Sequence, residues 1–272
     1  GTFSISSLLI GFGFLYIPML ILVIYSFNAS RLVTVWAGFS TKWYIELFQD
    51  KQLLDAAWMS LKIAFLTACM SLVMGMLASL ALVRLGRFRG KMSFAGMITA
   101  PLVMPEVITG LSLLLLFVAM EKSFGWPGGR GMLTIWIAHV TFSTAFVTVI
   151  LSSRLKEIDR SLEEAGMDLG ASPLKVFFVI TIPIITPALL AAWLLAFTLS
   201  LDDLVIASFV SGPGSTTLPM KVFSSVRLGI SPKINALASI IIALVSLGVL
   251  TAGWIIRGWE RKKIMGISQQ SE

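Results

Sequence analysis

Six stretches of this chain are apolar enough, and long enough, that only hydrocarbon suits them. They run approximately Leu8–Phe27, Leu61–Val83, Ser93–Met120, Met132–Ser152, Ile184–Val210 and Ile234–Ile256, and each, as a helix, covers the roughly 30 Å core of a bilayer. The runs are continuous rather than alternating, which excludes barrel strands, and a helix satisfies its own backbone polar groups. With 57% hydrophobic and 13% charged residues over 272 positions, the chain lies far outside the range of soluble domains. The first run lacks an A-x-A cleavage site and exceeds a signal-peptide core, so it reads as a true span. The expected fold is all-α and polytopic, with six transmembrane helices in one domain over residues 1–272.

Basic residues set the expected orientation. The short connection Arg84-Leu-Gly-Arg87-Phe-Arg89-Gly-Lys91 holds four cations and no acid, and the tail carries Arg257, Arg261, Lys262 and Lys263. Positive charge accumulates on the cytoplasmic side, so both clusters are expected there, with both termini and the 153–183 connection. The net charge of +7 follows from these membrane-flanking cations, which form no single stripe with stacking aromatics, so nucleic acid is not an expected partner.

The 153–183 connection, SRLKEIDRSLEEAGMDLGASPLKVFFVITIP, is the most structured of the polar segments. Ser161 and Glu164 have the spacing of a capping box, which predicts a short helix starting at Ser161. Gly170 suits the left-handed residue beyond its end, and Ser172-Pro173 is an N-cap and first-turn pair for a second helix. The segment therefore reads helix, bend, helix, the shape of a docking knob.

Several constellations that could carry chemistry fail on composition. Gly86-Arg-Phe-Arg-Gly90-Lys91 has three intervening residues where a phosphate-binding loop has four, and Met92 where that loop has Ser or Thr. ATP is therefore not expected on this chain, and no cofactor is assigned to it. Cys69 is the single cysteine and His139 the single histidine, so a thiol metal cluster is unavailable, and His139 reads as a hydrogen bond to a neighbouring helix. Asp202-Asp203 lacks a partner acid for hydrolysis, and no enzyme is expected.

Acid within the membrane is the remaining anomaly. Glu106 follows Pro101 and Pro105 near the middle of the third run, and Asp202 and Asp203 lie in the fifth. Each carboxylate costs about 2.5–3.5 kcal/mol at a helix centre, so the three are expected to face a polar path, with Glu106 at a proline kink. Ser200, Asp203, Ala207 and Ser211 form a small, polar stripe, which favours Asp203 over Asp202 as the path residue. Trp193, Phe197 and Phe209 offer aromatic faces for a cation.

The spacing Glu164-Ala165-Gly166, Gly170, Ile180, Ile182-Pro183 resembles the cytoplasmic coupling motif of ABC-importer permeases. Gly166 replaces a usual Ala and Ile182 a usual Leu, changes expected to loosen the helix without removing its role. The runs Ala100–Gly110 and Phe197–Gly214 with Thr217-Leu-Pro219 look like the polyamine branch of that family, nearest to the second permease of putrescine importers and next to spermidine importers. The resemblance implies an inner-membrane permease carrying putrescine or spermidine into the cytoplasm. It also implies a second, different permease subunit, two ATP-binding cassette subunits that use the ATP, and a periplasmic polyamine-binding protein. Glu163, Glu164, Ala165, Gly166, Asp168 and Gly170 are the expected docking residues. An importer of the same build for another small solute and a passive cation channel stay open as alternatives.

Overall fold

A computed structural model describes residues 2–31, 35–228 and 232–247, and among these the chain is helical, with a single isolated β contact between Asn28 and Phe39. Five helices are long and apolar enough to cross a membrane, and a shorter apolar helix covers Pro232–Leu247. The all-α, polytopic expectation holds. The rest of the expected sixth span, through Ile256, and the Arg257–Lys263 cluster lie outside the described residues.

The chain forms two compact units, Gly1–Lys51 with Ser224–Glu272, and Gln52–Phe223. In the first, α1 (Thr2–Ser26) is followed by a turn held by Asn28. Its amide donates to the Val35 carbonyl at 2.7 Å, and its side-chain oxygen accepts from the Ala37 N–H at 2.9 Å. Helix α2 (Lys42–Gln49) then buries Trp43, whose indole donates to the Asn28 carbonyl at 2.6 Å.

The second unit is built on close helix packing. Helix α3 (Lys51–Val83) buries Ser60, Ala64, Ala68, Ser71, Gly75 and Ser79 along one face. Small residues at this spacing let backbones approach closely in a membrane, where apolar packing alone gives little preference. At Gly75 a Cβ would come within 2.5 Å of Val147 Cγ1, on α6 (Met132–Glu157). Helix α9 (Ile182–Asp202) repeats the device, burying Ala192, Ala196 and Ser200 at four-residue intervals.

Two expected spans are broken. The third divides into α4 (Lys91–Val103) and α5 (Glu106–Phe124), with Met104 and Pro105 extended at ψ 135° and 137°. Pro105 has no N–H to donate and its ring pushes the preceding residue out of the helical region, so the expected kink becomes a break. The fifth ends at Asp202, and a short α10 (Val205–Val210) follows. Two connections between the spans also carry helices, α2 and α11 (Leu218–Leu228).

Candidate functional site

The 153–183 segment folds as helix, bend, helix, although its first cap differs from expectation. Helix α7 (Arg160–Asp168) is capped by Asp159, whose carboxylate accepts from the Ser161 N–H at 3.0 Å. The Ser161–Glu164 capping box does not form, because Asp159 stands two residues ahead of Ser161 and takes its N–H first. Hydrogen bonds from the Ser161 backbone and side chain hold the exposed Asp159 carboxyl below its ordinary range. Gly170 adopts φ +83°, and Ala171 N–H donates back to the Gly166 carbonyl at 3.2 Å, which closes the helix end as expected. Ser172 then caps α8 (Pro173–Val176), accepting from the Lys175 N–H at 3.4 Å.

Helix α8 runs through a π turn (Phe177–Thr181) directly into α9, so Pro173–Asp202 is one thirty-residue rod. Proline explains the wide turn. Pro183 cannot donate to the carbonyl four residues earlier, and its ring would clash there; widening the preceding turn relieves the conflict.

The expectation of a looser helix at Gly166 is corrected by the packing. Gly166 is buried, and a Cβ there would lie 2.8 Å from Ile180 Cδ1 and 3.2 Å from Val176 Cγ2. The missing methyl draws α7 closer to the rod. Glu163 completes the attachment: its Oε1 accepts from Arg84 Nη2 and from Thr181 Oγ1, both at 2.8 Å. One carboxylate thus ties α7 to the end of α3 and to the π turn. Glu164, Ala165 and Asp168 are exposed, as is Gly170. Beside them, Leu169 is 90% and Leu174 72% exposed. The docking residues expected from the sequence include neither leucine, although the signal was available: large apolar residues flanking the Gly170 bend of an otherwise polar knob.

The intramembrane acids separate into two kinds. Asp203 is turned inward. Its Oδ2 accepts from His139 Nε2 at 3.1 Å and from the Ala207 N–H at 2.7 Å, and its Oδ1 accepts from the Ile206 N–H at 3.3 Å. It caps α10 and, because its backbone is extended at ψ 126°, it ends the helix that was expected to continue. His139 Nδ1 meets Ser200 Oγ at 2.7 Å, so the single histidine makes the interhelical hydrogen bonds anticipated for it. The small stripe of Ser200, Asp203 and Ala207 therefore packs on α6 rather than opening to a cavity; small residues are where helices approach.

Asp202 and Glu106 are exposed, and among the described residues neither joins an ion pair. Glu106 occupies the first turn of α5, where the helix dipole favours a negative charge. The two breaks are brought together by helix packing. At Gly110 a Cβ would lie 3.3 Å from Ile206 Cα and 2.7 Å from Phe209 Cδ2. Glu106 precedes Gly110 by four residues, and Asp202 precedes Ile206 by four, so each carboxylate stands just before the same contact.

Helix α10 is pinned at its other end too. Thr134 Oγ1 donates to the Val210 carbonyl at 2.7 Å, and a Cβ on Gly212 would overlap the Arg130 carbonyl oxygen. The aromatic residues serve packing. Trp193 stacks on Phe197 at 5.4 Å, meets Phe65 edge-on at 5.8 Å and donates to Cys69 Sγ at 3.5 Å, while Phe209 packs against Gly110.

Comparison with known proteins agrees with this architecture. The solved structure of a bacterial ABC transporter involved in the import of the acidic polysaccharide alginate superposes with a TM-score of 0.68 at 16% identity, covering 93% of this chain and 94% of that one. That likeness establishes the fold. Among sequence relatives, the Putrescine transport system permease protein PotI of Escherichia coli K12 is 63% identical over 262 residues, 96% of this chain and 93% of its own length. The Spermidine/putrescine transport system permease protein PotC of the same strain is 41% identical over 246 residues, 90% of each chain. Residues 71–264 match the family of the binding-protein-dependent transport system inner membrane component. A bundle of apolar helices joined by a capped and bent polar knob, with that match over most of its length, makes this chain a member of the binding-protein-dependent transport permeases of the inner membrane.

Proposed function

We propose that the chain is one permease subunit of an ATP-driven importer that passes polyamines, putrescine above all, across the inner membrane into the cytoplasm. The observation that carries the reading is the pair of exposed carboxylates, Asp202 and Glu106, at the two broken spans. A polycation loses hydration as it crosses, and carboxylates in a poorly solvated path offset that loss by attraction stronger than in water. Asp203 holds Asp202 in place by ending α9 and capping α10. The names of the two relatives, at 63% and 41% identity, supply the substrate class.

A second, different permease, two ATP-binding cassette subunits and a periplasmic polyamine-binding protein complete the assembly, and the cassette subunits use the ATP. Both termini and the 153–183 segment face the cytoplasm, on the side of the Arg84–Lys91 cations. Leu169 and Leu174 anchor the knob in a cassette subunit, with Glu164 and Asp168 at the rim. Movement of the knob reaches the path mechanically. The Pro173–Asp202 rod spans roughly 45 Å at the helical rise, so a rigid-body shift at its first turn displaces Asp202 at its last.

The test compares putrescine uptake with ATP hydrolysis in proteoliposomes holding the complete transporter. Asp202→Asn and Glu106→Gln retain size and hydrogen bonding while deleting charge. Uptake falls about tenfold, one strong charge contact's worth, while stimulated hydrolysis falls less. Wild-type uptake in both variants would overturn the path.

A further inference from the structure

At the end of the bundle opposite the knob, a pocket of about 270 Å³ opens between the first turns of α3 and the segment that follows α10. Gln52, Asp55, Ala56 and Met59 line one side, Thr216 and Lys221 the other. Asp55 stands twenty-eight residues ahead of Val83, about 42 Å along α3, and Val83 adjoins the Arg84 that holds Glu163 of the knob. That separation exceeds the roughly 30 Å of hydrocarbon, so pocket and knob lie on opposite sides of the membrane core.

The walls are fixed from within. Leu218 N–H donates to the buried Ser60 Oγ at 2.7 Å, and Lys221 Nζ donates to Gln52 Oε1 at 2.7 Å, so two bonds join α11 to α3. Buried Ser215 holds the turn leading into α11 through the Gly212 N–H and carbonyl. A cavity held this way keeps its shape before a guest arrives, which lowers the ordering cost of binding. Its floor and rim differ in character. Ala56 is buried and Met59 half-buried, whereas Gln52, Asp55 and Thr216 are exposed. Lys221 is engaged by Gln52, while Asp55 joins no ion pair among the described residues.

We propose that this pocket is a socket for the periplasmic binding protein and takes one basic side chain of that partner, its charge on Asp55 and its methylenes on Ala56 and Met59. The inference rests on the assembly proposed above and adds where that partner sits. A periplasmic protein reaches only the side away from the cytoplasmic knob. Charge and shape then select the guest. An acyl chain would cover the Asp55 carboxylate with no counter-charge, and a free polyamine would bring a second ammonium beside Lys221. A long basic side chain answers both halves of the pocket, because its stem covers apolar surface while its head stays at the polar rim. Met59 also packs on the cluster that holds Ile206 and Val210 of α10 with Phe117 of α5. A seated side chain therefore bears on the helix that follows Asp202.

The test titrates putrescine-loaded binding protein against the complete transporter in nanodiscs and reads the concentration that half-stimulates ATP hydrolysis. Asp55→Asn raises that concentration about tenfold, one charge contact's worth. Thr216→Trp, which fills the mouth from an exposed position, raises it too and decides the matter alone if Asp55→Asn does not assemble. Asp55→Lys raises it further, and one Lys→Glu or Arg→Glu variant of the binding protein restores it, as exchange of a charge pair requires. Wild-type half-stimulation in Asp55→Asn and Thr216→Trp would overturn the socket alone, as would binding of putrescine without the binding protein that Asp55→Asn abolishes. A wild-type transporter that the binding protein does not stimulate would overturn the assembly and the socket together.

Discussion

Glu163 and Asp203 are the same chemistry in two solvents. Each is a carboxylate that ties an irregular turn to a distant helix: Glu163 joins α7 and the π turn to α3 through Arg84, and Asp203 joins the α9–α10 break to α6 through His139. Glu163 is 18% exposed at a polar knob, whereas the Asp203 side chain is 8% exposed within the packed helices. Where water is near, a lost acceptor is partly replaced; where it is absent, every donor left behind keeps its full desolvation cost. The same carboxylate group is therefore a fastener at the knob and a condition of folding within the bundle.

The strongest challenge to that contrast is Asp203→Ala. It leaves the N–H groups of Ile206 and Ala207 and His139 Nε2 without their acceptor, and the expected loss is about 3 kcal/mol. The thermal midpoint of the purified permease in detergent, and the yield of assembled transporter, should both fall sharply. An unchanged midpoint would mean that water reaches the site and the contrast fails.

Gly170→Pro comes next. It forbids the left-handed backbone that closes α7 and should move the α7–α8 bend out of register, with little change in the bundle. Expected is a correctly inserted permease with stimulated ATP hydrolysis reduced about tenfold, the loss of roughly one well-placed contact, and a thermal midpoint near wild type. A large fall in midpoint would show that the knob, like Asp203, is a condition of folding.

Glu163→Gln should matter less. The amide keeps an acceptor for Thr181 and Arg84 but loses the charge, so the expected cost is about 1 kcal/mol, partly screened by salt. A double-mutant cycle with Arg84→Gln measures the coupling, which should shrink at high ionic strength. Salt-independent coupling would put Glu163 in the same dry setting as Asp203.

The smallest effect concerns Asp159. Its carboxyl titrates below the ordinary range because Ser161 hydrogen-bonds the ionised form. The sign follows from linkage: the cap is present in full above the unfolded carboxylate value and is lost as pH falls through the lower folded one. Hydrogen exchange in the first turn of α7 should accelerate only on the acid side of the usual carboxylate range, and Asp159→Ser should abolish that pH dependence while keeping the cap.

How much was legible in advance differs between the same two regions. The bend at Gly170 and the cap at Ser172 were readable because their causes lie within four residues of their effects. Even there, local reading chose Ser161 over Asp159, since both are good caps and only backbone geometry decides which engages. In the bundle, the break after Asp202 was missed. The capping bonds from Asp203 to Ile206 and Ala207 are local, but the same carboxylate is also held by His139, a partner that only the packing of α6 on α9 supplies.

The sequence by itself determined the solvent, the helices, the family resemblance and the knob, because apolar length, proline, glycine and caps act over a turn or two. Only the tertiary structure decided which acid turns inward. Asp202 and Asp203 are neighbours in an apolar run, and the small stripe that sets Asp203 apart does not say whether it faces a path or a packed helix. The close approach of α6 and α9 puts His139 beside Asp203 and leaves Asp202 exposed, a choice made by packing across the bundle.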